Sequence, residues 1–229
     1  MNKKILLTLF ALFISNSGFA QIELDDYIGK VGDAFNGGNT VVTFQTTEIE
    51  GNPLLFDQFL VGVLVNGKSQ TVPVRMNLDL ANNRILVDQD NKIIAMDNSA
   101  VTSIQIKTPK MTFKNGFSTG GKDDLNKNSL FEVIFEGDNY TVLKHTGVSL
   151  QEDVASYGTA VQKDVFVRYT DYYLITSENG FEGLSSRKRR FFRVFGDDRK
   201  AIEKYVDEND LDFKDDTDRS EIFAYADSL

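Results

Sequence analysis

Residues 60–78, LVGVLVNGKSQTVPVRMNL, decide how the rest of the chain is read. Two apolar, β-branched runs flank Asn66-Gly67, a short-range hairpin signal that Lys68 to Gln70 extend into a longer loop. Pro73 lacks an N–H for the ladder, so its place inside the second run predicts an edge position or a bulge. Working outward, the same alternation of short apolar runs and tight polar turns recurs. Strand patterns occupy 40–47, 84–87, 92–96, 101–107, 130–136, 140–144, 165–169, 172–176 and 181–184. Gly51-Asn52-Pro53, Asp88-Gln89-Asp90-Asn91, Gly137-Asp138-Asn139 and Asn179-Gly180 supply turns. Parallel βαβ units need a dozen helical residues between strands, and this region has none. The expected fold is therefore mainly β (α+β): an antiparallel β-meander forming a curved sheet or partly open barrel. Residues 114–129, rich in Gly, Asn, Lys and Asp, read as a long mobile loop, and 151–162 shows no period.

The pattern changes at both ends. At 22–35, Leu24, Tyr27, Ile28, Val31, Ala34 and Phe35 recur at helical spacing, weakened by Gly29 and Gly32 and ended by Gly37-Gly38. From Ser185 onward three short helices are predicted. The first is capped by Ser186, carries Phe191, Val194 and Phe195, and ends at Gly196. The second starts at Asp197 or Asp198 and presents Ile202, Tyr205 and Val206. The third starts near Asp218, with Glu221 completing a capping box, and carries Ile222, Tyr225, Ala226 and Leu229 as one stripe. Helices this short are marginal alone and must dock. The expected organisation is a signal peptide at 1–20, a β-rich domain at 21–184 and a helical appendage at 185–229 packed on it.

The signal-peptide expectation rests on Lys3 and Lys4, an apolar run at 5–14 and the small-residue exit Gly18-Phe19-Ala20. That run is shorter than a membrane span, and no later window is long and apolar enough for one. Export to the periplasm or beyond follows. With no Cys there is no lipid-anchoring cysteine and no disulfide framework, so a hydrophobic core fed by 18 Phe and 8 Tyr must carry stability. The formal charge is −9, becoming −11 once Lys3 and Lys4 leave with the leader, which argues against nucleic acid as a partner.

The catalytic inventory is thin. His145 is the single histidine, no GxSxG elbow accompanies it, and it is expected at a strand end facing solvent. The acidic runs Asp207-Glu208-Asp210-Asp212 and Asp215-Asp216-Asp218 lack calcium-loop spacing and fit helix capping better. Gly120-Gly121-Lys122 fails the phosphate-loop pattern, because Asp123 follows the lysine where Ser or Thr is required. No catalytic residue, metal ligand or cofactor site is expected. The outstanding local feature is Arg187, Lys188, Arg189, Arg190 and Arg193, five positive charges in seven residues of an acidic chain. They make a candidate contact for an acidic protein or cell-envelope component, or else a solvated or internally paired helix face.

Gly51-Asn52-Pro53-Leu54-Leu55-Phe56 with Phe59 and Gly62, then Val74-Arg75-Met76-Asn77, the segment 199–211 and the ending Phe223-Ala224-Tyr225-Ala226-Asp227-Ser228-Leu229 resemble a family of exported β-rich proteins of Gram-negative bacteria. The resemblance implies export and a β-rich fold and carries no activity, cofactor or catalytic residue. The expected function is a non-catalytic binding or scaffold protein. Two alternatives are a periplasmic carrier of apolar ligand or lipid, which needs a deep apolar cavity, and a carboxylate-dependent hydrolase acting on saccharide, which needs two carboxyl groups facing one cleft.

Overall fold

The computed structural model describes residues 40–42, 49–90, 92–155 and 162–229. The expected signal peptide, the helical pattern at 22–35 and most of 40–47 lie outside these residues. Among the described residues, eleven strands form one antiparallel sheet: β1 (Thr40–Val42), β2 (Leu60–Val65), β3 (Thr71–Asp79), β4 (Arg84–Gln89), β5 (Lys92–Asp97), β6 (Ser103–Ile106), β7 (Met111–Lys114), β8 (Phe131–Glu136), β9 (Tyr140–Ala155), β10 (Gln162–Thr176) and β11 (Gly180–Gly183). Their order is β1-β5-β4-β3-β2-β6-β7-β8-β9-β10-β11. Two meanders, β2 to β5 and β6 to β11, meet where Leu64 of β2 faces Ile104 of β6. The sheet does not close into a barrel.

The deciding hairpin forms as a five-residue loop organised by Asn66. Its Oδ1 accepts from the N–H groups of Lys68 (2.9 Å) and Gln70 (3.0 Å), and Ser69 takes a positive φ of 58°. Pro73 lies in β3, an interior strand rather than an edge. Asn66 donates to Gln70 at the loop, so alternate pairs 64/72 and 62/74 exchange hydrogen bonds and Pro73, opposite Val63, points its nitrogen away from β2. On that side β4 pairs only with 75–79, so the missing donor falls where the neighbour has ended.

Three corrections concern strands and loops. The runs at 165–169 and 172–176 belong to one strand, and 140–144 is the start of another that continues to Ala155. Leu150 (45 % exposed) and Val167 (36 %) sit where this β9–β10 ribbon leaves the body of the sheet, so no inward–outward alternation marks it. The short β7 was not anticipated. The segment 115–130 is a packed loop rather than a loose one: Gly116 donates to Lys127 O, Thr119 donates its hydroxyl to Leu125 O, and Leu125 is buried.

The core divides by face. Alternate residues of β2 to β6, among them Leu64, Val74, Met76, Ile85, Val87 and Ile104, form an aliphatic cluster. In β9, Val142 points to one side and Leu143 to the other. Leu143 joins Phe131, whose ring meets Phe117, Tyr173 and Phe181 edge-on at 5.7–5.9 Å under the 115–130 loop. Val142 lies under the helical segment: α1 (Lys188–Phe191), a 3₁₀ run (Phe192–Asp198), α2 (Arg199–Glu208) and α3 (Asp216–Asp227). Phe191, Phe192, Phe195, Ile202, Val206, Ile222 and Phe223 are all buried there.

The helix limits differ from expectation at their caps. Ser185, not Ser186, bonds the entry to α1, accepting from Arg187 N–H. The cap of α3 is Asp215, which accepts from Thr217 and Asp218 N–H groups, while Glu221 instead accepts from the Tyr205 hydroxyl. The apolar stripe of α3 is also shifted. Leu229 lies past the helix end and is 60 % exposed, whereas Phe223, beside Ile222, is fully buried.

A strap at 49–59 crosses between the two parts of the sheet. Glu50 pairs with β10 through Asp164 and Phe166, and Leu55 donates to Leu78 O on β3. Gly51 has φ 95° and lies against Phe166 O, at 2.8 Å from where a Cβ would sit, so no larger residue fits. Buried Asn77 clamps the other end, accepting from Phe56 N–H and donating to Phe56 O.

Candidate functional site

The five basic residues follow one another along 187–193, all of them exposed. Phe191 and Phe192 turn inward from α1 and its extension, which leaves Arg187, Lys188, Arg189, Arg190 and Arg193 exposed. Lys188 alone is paired, with Asp207 at 3.6 Å, both side chains well solvated. The four arginines have no ion-pair or hydrogen-bond partner for their side chains among the described residues. Arg190 and Arg193 line an open groove together with Glu178, just before β11, and Glu182, within it.

Beneath the same helices lies a different charge arrangement, invisible in the sequence. Arg219, 3 % exposed, donates to Asp216 at 2.6 Å and lies 3.8 Å over the Tyr172 ring. Asp216 also accepts from the Tyr172 hydroxyl (2.8 Å) and from Lys144 Nζ (2.7 Å), which reaches Glu132 at 3.2 Å. Burial pushes the Glu132 carboxyl above its ordinary value, against the pull of Lys144. Burial alone would lower Lys144, but Asp216 and Glu132 hold it above its usual range. This cluster ties α3 to β8, β9 and β10. It is structural.

A cleft of about 320 Å³ opens on the opposite face, between the strap, the 79–84 turn, the 115–130 loop and the β9–β10 ribbon. His145 sits in its wall, in mid-strand rather than at a strand end, half-buried between the rings of Phe131 (5.6 Å) and Tyr169 (6.1 Å). Burial holds the imidazole below its ordinary value, with Asp171 across the strand pulling the other way. A histidine that is neutral in the physiological range offers one donor and one acceptor. The tight turns and the alternating pattern gave no signal for this cleft, because it is assembled from four separated segments.

The acidic runs cap and turn the helices, as the sequence suggested: Asp215 caps α3, and Asp218 accepts from Asp212 N–H. Among the described residues no three His, Cys, Asp or Glu side chains converge as metal ligands, and no helix is long and apolar enough to cross a membrane. No known protein family, curated protein or solved structure matches the chain.

Proposed function

We propose that this protein is an exported, non-catalytic binding protein that engages an acidic protein or anionic cell-envelope component through Arg187, Lys188, Arg189, Arg190 and Arg193. One observation carries the reading: four exposed arginines without a partner among the described residues stand on the outer side of a segment whose inner side is packed with phenylalanine. Like charges placed this closely repel one another, a cost that an incoming anionic surface relieves. In a chain of net charge −9 the patch also sets a local field of opposite sign, which steers acidic partners and weakens with salt. The test is the triple variant Arg187→Glu, Arg189→Glu, Arg190→Glu, cross-linked in cells beside the unmodified chain. A specific acidic partner that is recovered with the unmodified chain and lost with the variant supports the reading. An identical set of cross-links from both removes it.

Export belongs to the same proposal. The charged start, short apolar run and Gly18-Phe19-Ala20 exit support cleavage after Ala20. Intact mass of the protein from the periplasm of a Gram-negative host should show a chain beginning at Gln21. A periplasmic chain that still begins at Met1 contradicts cleavage.

A further inference from the structure

We propose that the cleft is a binding site for a neutral, polyhydroxylated ligand, a short saccharide, separate from the basic face. Its two walls carry charged groups with unused hydrogen-bonding capacity, an Arg84–Asp79 ion pair on one and two aspartates on the other. On one, Arg84 donates Nη2–H to buried Asp79 at 3.2 Å, and its remaining N–H groups have no acceptor among the described residues. On the other, Asp123 accepts from the Tyr173 hydroxyl at Oδ2 (3.0 Å), leaving Oδ1 without a partner among the described residues, and Asp124 has none there at all. An anion would meet the carboxylates of Asp79, Asp123 and Asp124, with the Arg84 charge already answered by Asp79. A hydroxyl group donates to one wall and accepts from the other, so a ligand with several hydroxyls serves both.

The floor of the cleft adds an apolar platform. Tyr169 lies opposite Gly147 in the β9–β10 ribbon, with ring atoms 2.5 Å from the position a Cβ at 147 would take. Glycine lets the ring lie down across the neighbouring strand, as aromatic residues do over sheet glycines, and Tyr169 as a whole stays 44 % exposed. A pyranose presents just such a pair of surfaces: hydroxyls at its rim and a face of C–H groups that packs on an aromatic ring.

The loop that presents the aspartates is held in uncommon backbone geometry. Gly120, Gly121, Asp123 and Asp124 have φ of 63°, 72°, 54° and 60°. Two non-glycine residues in the left-handed region within one short loop is a cost that tends to be retained at binding sites. The volume, about 320 Å³, falls at the lower end of small-molecule sites.

Saturation-transfer NMR on the full mature chain tests this, with maltotriose, cellotriose and chitotriose as saccharide probes and butylamine and butyrate as charged ones. At least one trisaccharide should receive transfer, weakened about tenfold or more in affinity by Tyr169→Ala and by Asp124→Asn. Both positions are exposed, and thermal melts of the two variants confirm that they fold. The Arg187, Arg189, Arg190 reversal should leave the transfer unchanged, which separates this site from the partner face. Transfer to none of the three, transfer that survives both substitutions, or transfer to butylamine or butyrate alone overturns the proposal.

Discussion

The two ends of the sheet are sealed by different chemistry. Between β2 and β7 the core is Val, Leu, Ile and Met with Phe113 as its single buried aromatic among the described residues, and each strand contributes alternate residues. Between β8 and β11 the cover is three short helices, held by four buried phenylalanines and an ion cluster around Arg219. A face closed by repetition spreads its stability over many similar contacts. A face closed by a docked segment concentrates it in a few large or charged side chains.

Substitution separates the two cases. Phe223 is fully buried against Phe135, Tyr140, Phe191 and Phe195. Phe223→Ala should cost about 3–5 kcal/mol, and urea unfolding should show it. Ile104→Val, equally buried but in the aliphatic core, should cost about 1 kcal/mol. A loss at Phe223 no larger than that at Ile104 would dissolve the contrast.

Arg219→Met comes next. It removes one partner of a buried pair while Lys144 and the Tyr172 hydroxyl still hold Asp216, so the loss should be about 2–3 kcal/mol, below that of a lone buried pair. A neutral or stabilising result, measured by the same unfolding, would show that this cluster specifies position without contributing stability.

A smaller effect belongs to the end of α3. The Asp227 carboxylate accepts from Asp138 (2.9 Å), Asn139 (2.7 Å) and Tyr140 (3.2 Å) N–H groups, tying the β8–β9 turn to the helix. Burial pushes this carboxyl up, but the backbone N–H groups of Asn139, Asp138 and Tyr140 together hold it below its ordinary value of 3.8. Its folded value is thus depressed, so its contribution is present above 3.8 and is lost as pH falls through the folded value. Asp227→Asn should flatten the fall in urea midpoint between about pH 5 and pH 2. An unchanged slope would mean that other carboxylates dominate acid unfolding.

The same contrast governs what was legible in the sequence. The strands of the aliphatic half follow from alternation at 60–78, 84–96 and 101–107, since each has one buried face. The β9–β10 ribbon was read as fragments because its far end is solvated on both sides. The helices were visible as three, but their caps were not: three aspartates at 215, 216 and 218 compete, and only the fold assigns the cap to Asp215 and the buried pair to Asp216. Phe223 escaped because the buried stripe of α3, at 219, 222, 223 and 226, starts on a charged residue, Arg219. The basic face was readable as charge contrast, whereas the cleft, assembled from Arg84, Asp123, His145 and Tyr169 across some eighty-five residues, was not.

The smallest stability effect is expected where the functional claim is largest. Exposed arginines without ion-pair partners contribute little to folding. Reversing Arg187, Arg189 and Arg190 to Glu leaves the Lys188–Asp207 pair and every buried phenylalanine in place. The melting temperature of this triple variant, measured beside the unmodified chain, tests most directly that the outer side of the segment is free for a partner. The account predicts a change of no more than about 2 °C, and a fall of about 5 °C or more would show that the basic run holds the fold together.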